Sequence, residues 1–177
     1  MIKKSPAKPE LYLELAALDI KQGNDDAAVR LLEQAANRVS NPLDLLRVLG
    51  GIYMKQSKEA AQGRTPQKSR EAAIRTFEQV LASHTNDIST LFQLGVLHVQ
   101  NQQVDKALDY FARIEQLNPD NLQIRRKLAS SFAEAESQEK AIAMLQEAAR
   151  KQPDNPRIYF YLGELYSEKG DMTNALS

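Results

Sequence analysis

The feature that most constrains this chain is a period. Leu91-Phe92-Gln93-Leu94-Gly95 is followed by Ala107, Phe111 and Asn118-Pro119-Asp120-Asn121. Thirty-four residues later the order returns as Arg125-Arg126-Lys127-Leu128-Ala129, then Ala141, Leu145 and Gln152-Pro153-Asp154-Asn155. A third pass runs Tyr159-Phe160-Tyr161-Leu162-Gly163 to Tyr166 and Ala175. A fixed period of this length is the mark of a stacked repeat architecture, in which each unit buries its apolar face only against its neighbours. Composition says which kind. Ala, Leu, Gln, Glu, Lys and Arg dominate, β-branched residues are scattered and Trp is absent, so the repeating unit is helical.

The residues that recur resemble the tetratricopeptide repeat. That family places a large residue at repeat position 4, Leu followed by Gly or Ala at 7 and 8, an aromatic at 11, Ala at 20, a large residue at 24 and Pro at 32. Residues 88–121 supply Leu91, Leu94, Gly95, Ala107, Phe111 and Pro119, with His98 in place of the aromatic. Residues 122–155 supply Leu128, Ala129, Phe132, Ala141, Leu145, Ala148 and Pro153, with Arg125 departing at position 4. Residues 9–42 give Tyr12, Leu15, Ala16, Ala28, Leu32 and Ala35, and residues 43–87 give Leu46, Leu49, Gly50, Tyr53, Ala73, Phe77 and Val80. The resemblance implies an all-α, right-handed solenoid of antiparallel helical hairpins: four repeats, with a partial fifth over 156–177. Its small residues (Gly95 with Ala107, Ala129 with Ala141) let paired backbones approach. Pro119 and Pro153 lie where a second helix ends.

Two irregularities stand out. The second repeat carries eleven extra residues between Gln56 and Arg70. Gly63 suits a helix C-terminus and Thr65-Pro66 a helix start, so the expectation is a hairpin lengthened by about a turn and a half on each side, with its tip at 57–69 projecting. A loose insertion is the alternative. At the ends, Lys3 to Tyr12 align without a gap on Arg150 to Tyr159, and Ser177 falls inside a second helix. Residues 1–8 then read as the tail of a preceding repeat, and the chain as a stretch cut from a longer array; a native start at Met1 is the alternative.

The classes that composition disfavours are equally informative. Acidic and basic residues balance at 23 each, so no concentrated cationic face marks a nucleic-acid or anionic-membrane binder. Cys is absent, which removes disulfide and thiolate chemistry while leaving the compartment open. No apolar run reaches the roughly 20 residues of a membrane span. His98 reads as packing, and His84 as a helix-end residue able to satisfy last-turn carbonyls. Asp25-Asp26 and Asp120-Asn121 sit at turns and helix starts, where they cap free N–H groups. No cofactor, metal or catalytic constellation is expected.

What the resemblance implies about function is a protein or peptide partner held on the concave face lined by first helices. The positions that face it carry Leu13, Arg47, Met54, Phe92, Val96, Val99, Arg126, Lys127, Arg157, Phe160 and Tyr161. Of these, Phe92, Val96, Val99, Phe160 and Tyr161 read as exposed apolar anchors, with Arg126, Lys127 and Arg157 beside them for a carboxylate or phosphate. Packing of the same apolar residues between helices is the competing reading. The version of this fold that clamps a chaperone's C-terminal carboxylate needs a set of Lys, Asn and Arg that this chain does not complete, having Leu13, Ala17, Val48, Ser89, Gln93 and Tyr161 at those places. Two other roles stay open: a substrate-recruiting arm of a larger enzyme or signalling protein, and a self-assembly module meeting another copy through the 57–69 tip or the chain ends.

Overall fold

The computed structural model describes residues 8–59 and 65–175, with the side chains of 172 and 173 excepted. Residues 1–7 of the expected preceding-repeat tail at 1–8, residues 60–64 of the expected tip at 57–69, and the last two residues lie outside the described residues. The rest is helical: α1 (Pro9–Lys21), α2 (Asp25–Ala36), α3 (Leu43–Lys58), α4 (Pro66–Ser83), α5 (Ile88–Gln100), α6 (Val104–Leu117), α7 (Leu122–Ala135), α8 (Gln138–Lys151), α9 (Pro156–Glu168) and α10 (Met172–Ala175). They fall into two compact units, residues 1–85 and 86–177.

In the first unit α1 pairs with α2 and α3 with α4, and α2 packs on α3. One core joins Ala16 of α1, Ala28, Leu32 and Ala35 of α2, and Leu45, Leu49 and Ile52 of α3. The turn after α1 closes on Gly23, whose φ of 77° is the left-handed conformation an L side chain disfavours. From it the Gly23 N–H reaches the Ile20 carbonyl at 3.0 Å and the Asn24 N–H the Asp19 carbonyl at 2.8 Å, which satisfies two otherwise free acceptors of the helix end. The α3–α4 pair is the longest, at 16 and 18 residues, against 13 and 14 in α5 and α6. Helix α4 starts as its sequence dictates, with the Thr65 hydroxyl accepting from the Lys68 N–H at 3.3 Å and Pro66 at the first position. Gly50 is demanded by packing: a Cβ there would stand 2.6 Å from the Phe77 ring.

In the second unit, hairpins α5–α6, α7–α8 and α9–α10 stack so that α7 lies between α5 and α9, and α8 packs on α9. Helix starts are capped by Asp87, Asn121, Ser137 and Asn155, each accepting a backbone N–H. The core is aromatic. Phe111 meets Phe132 edge-on at 5.7 Å, and Tyr161 lies 6.4 Å from Phe111 and 5.8 Å from Phe132. Each such pair contributes roughly 0.5–1.5 kcal/mol beyond its buried area. Gly95 makes the room: a Cβ on it would collide with the Phe111 ring. The close approach at Gly95 is therefore filled by the large residue at position 24 as well as by small Ala107. His98 is buried, stacked on Tyr110 at 5.4 Å, with its Nδ1 2.7 Å from Gln103 Oε1. His84 does less than its sequence context suggests. It is its backbone N–H, not its ring, that caps Val80, while Nδ1 lies 3.0 Å from Ser83 Oγ.

Candidate functional site

The first helices of the second unit lie side by side and build a ladder of side chains. Helix α5 presents Phe92 and Val96, both half-buried. From α7, Lys127 holds its ammonium 5.2 Å from the centroid of the Phe92 ring, a cation–π contact worth about 0.5–1 kcal/mol when exposed. The next rung joins α7 to α9: Arg126 Nε lies 3.3 Å from Glu164, and Ser130 Oγ donates to Glu168 Oε1 at 2.6 Å. Phe160 is half-buried on α9 beside them. The order of side chains across the three helices is thus aromatic, cation, carboxylate.

Two expected anchors are elsewhere. Val99 and Tyr161 are buried, not exposed. Val99 stands one turn beyond Gly95, on the side of α5 turned to α6 and its Phe111 ring. Tyr161 stands between Ile158 and Leu165 on the inner side of α9, and its ring enters the aromatic core. Its hydroxyl donates to Glu115 Oε1 at 2.7 Å, and the other oxygen of Glu115 takes Arg157 Nε at 2.8 Å. Burial, reinforced by the bond to the Glu115 carboxylate, pushes the Tyr161 phenol far above its usual range.

The expected basic group is also less free than its sequence suggests. Arg126 is paired with Glu164, Lys127 is seated on Phe92, and Arg157 is held by Glu115. The first of these is half exposed, and pairs of that kind contribute about 0–1 kcal/mol, so an incoming carboxylate competes with Glu164 on nearly equal terms. The Arg157–Glu115 pair is sheltered, and breaking it would leave a buried charge alone. Arg125 is the cation that the family pattern passes over. It occupies a position where that pattern asks for a large apolar residue, it is half-buried, and its guanidinium has no hydrogen-bond or ion-pair partner among the described residues.

In the first unit Leu13 packs partly buried against the core, Met54 is half-buried, and Arg47 bonds Asp44 one turn earlier at 3.1 Å. Lys55 reaches Asp25 Oδ2 at 2.8 Å, which raises its pKa through the hydrogen bond to Asp25.

Comparison with known proteins agrees with this architecture. A TPR repeat model matches residues 129–170, and the model described as anaphase-promoting complex, cyclosome, subunit 3 matches residues 67–148. Among solved structures, MamA 41-end from Desulfovibrio magneticus RS-1 is similar with a TM-score of 0.60 at 19% identity, covering 97% of this chain and 92% of that one. A MamA RS-1 double mutant gives 0.61 at 18% identity, covering 97% and 91%. A tetratricopeptide repeat protein from Parabacteroides merdae gives 0.60 at 18% identity, covering 94% of this chain and 62% of that one. No curated protein matches in sequence. The helical hairpins, their period and these likenesses together give the chain a tetratricopeptide-type helical-repeat fold. As a class, such helical-repeat proteins are protein-interaction scaffolds. Among the described residues no helix is long and apolar enough to cross a membrane.

Proposed function

We propose that the chain is a non-catalytic scaffold that binds a peptide segment of another protein across the first-helix face of its second unit. The observation that carries this reading is the ladder itself. Phe92, Val96 and Phe160 offer half-exposed apolar surface, and between them stand an ammonium, a guanidinium and two carboxylates whose mutual pairings are weak enough to exchange for a partner's groups. A flat apolar patch would bind without discrimination. Interleaved charges fix register and exclude the wrong sequence.

The test is capture of partners by the wild-type chain and by the double variant Phe92→Ala/Arg126→Glu, with helicity followed by circular dichroism. The second change sets a carboxylate against Glu164, so both the apolar anchor and the charge order are broken. Loss of a specific partner with helicity unchanged is expected. Retention of the same partners by the variant would place binding away from this face.

A further inference from the structure

The cavity that Arg125 lines is small, about 340 Å³, and its walls are Glu115, Arg125, Pro156, Arg157 and Phe160. Its chemistry follows from which polar atoms are already used. Both oxygens of Glu115 are taken, one by the Tyr161 hydroxyl and one by Arg157 Nε. These two bonds fix the Arg157 guanidinium through a single nitrogen and leave its two terminal NH2 groups without a partner among the described residues. Arg125 brings five more N–H donors, none of them engaged by a described side chain. Two guanidiniums stand against one carboxylate, so the cavity is positive. Pro156 and Phe160 supply apolar walls, and charge attraction is stronger beside such walls than in open water.

A larger cavity, about 610 Å³, lies between α6 and α8, but its charged walls balance, Asp105 and Glu147 against Lys106 and Lys151. Asp105 accepts from Gln152 at 2.8 Å, and Glu147 is paired with Arg150 and Lys151.

We infer that the Arg125–Arg157 cavity is an anion site for a carboxylate or phosphate group carried by a bound peptide. It deepens the scaffold reading and rests on it. The planar forks of two arginines match the paired oxygens of a carboxylate or a phosphate, which a lysine pair would hold only as point charges. The ladder pairs are surface contacts that a ligand must break, whereas here Arg157 is held in place by Glu115, itself bonded by Tyr161, and Arg125 has no side-chain bond among the described residues to give up. An arginine whose stem simply covers apolar surface, its head in water, would meet an anion only through a weak contact screened by salt.

The experiment is a titration of the isotope-labelled chain with inorganic phosphate and, separately, with N-acetylglutamate, reading the arginine Nε–H resonances against sodium chloride at equal ionic strength. Saturable movement of the Arg125 and Arg157 signals is expected with at least one of the two probes, and the probe that saturates at lower concentration identifies the group. Arg125→Gln should abolish saturation. Arg125→Lys, which keeps the charge and loses the fork, should weaken it by about tenfold. Lys140→Gln, at an exposed cation of α8 paired with Glu136, should leave it unchanged. Linear drift equal to that of chloride would overturn the site. So would saturation that survives Arg125→Gln with the helical spectrum intact. Loss of the anion site with partner capture by the Phe92 face unaltered would sink this inference alone, because the two readouts use different residues.

Discussion

Helices α1 and α9 both begin on a proline and carry the same apolar stripe, yet they live in opposite surroundings. On α9, Ile158, Leu162 and Leu165 are buried where α7 and α8 pack against the helix. In the same register α1 carries Leu11, Leu15 and Leu18, and these are 56%, 52% and 55% exposed. Helix α3 sides with α9: its Leu45, Leu49 and Ile52 share a core with Ala28, Leu32 and Ala35 of α2. The polar residues differ in the same sense. Where α9 has Arg157 and Tyr161 tied to Glu115, α1 has Glu10 and Glu14, exposed and without an ion pair among the described residues. The sequence of a first helix therefore does not determine its burial. Its neighbours determine it: α7, α8 and α10 pack against α9, whereas the contacts of α1 among the described residues run to α2 and α3.

The largest test of that contrast is truncation of equivalent leucines. Leu165→Ala should cost about 2–5 kcal/mol, the loss expected for a fully buried leucine with its residual cavity. Leu18→Ala should stay within about 0.5 kcal/mol, as exposed positions do. Denaturant midpoints at constant slope measure both. Equal losses would mean that the stripe on α1 is covered in solution, and the contrast would fail.

The next effect comes from the polar lock that α9 has and α1 does not. Tyr161→Phe removes a hydrogen bond to a sheltered carboxylate and should cost about 2 kcal/mol at neutral pH. It also carries a pH signature. The folded phenol keeps its proton to higher pH than the unfolded one, chiefly because of burial and then of Glu115. Between those two pKa values the folded state binds more protons, so stability must fall as pH rises. The contribution is complete below about pH 10, where an unfolded tyrosine begins to ionise, and declines above it. Lysines titrate in the same range, so the readout is the difference between wild type and Tyr161→Phe. That difference should shrink from pH 9 to pH 11, and an unchanged difference would contradict a buried, neutral Tyr161.

The fold was legible because its determinants are local and repeated. Gly50 and Gly95 are glycine because Phe77 and Phe111 occupy the space of their Cβ atoms, and the two phenylalanines stand one repeat period apart. The candidate site was legible only in part, because a repeat position describes which way a side chain points in an average array. Val99 and Tyr161 follow the burial of their own helices instead, and Tyr161 goes inward because an acceptor, Glu115, waits 46 residues earlier in the chain. The pairing of Arg126 with Glu164 spans 38 residues, and no local pattern announces it. Arg125 was visible from the start as a departure from the repeat. Its meaning came from the cavity it lines.

The smallest predicted effect tests whether α1 and α9 differ in their faces alone. Both helices end in the same way, on a glycine with positive φ: Gly23 at 77° and Gly170 at 78°. Neither site has any atom within 4 Å of a built Cβ, so substitution by alanine meets no steric obstacle and the cost is conformational. An L-residue held in the left-handed region costs about 1–2 kcal/mol. Gly23→Ala and Gly170→Ala should therefore destabilise by about that amount each, and by the same amount as one another, although one helix is half uncovered and the other packed. The equivalent turn after α5 already bears the strain, since Gln102 sits there at φ 57°. Replacing Gln102 by glycine should recover part of it, about 0.5–1 kcal/mol, read as a rise in the unfolding midpoint. A larger loss at Gly170 than at Gly23 would mean that helix ends feel the packing of their faces, and the separation between backbone and burial drawn from α1 and α9 would no longer hold.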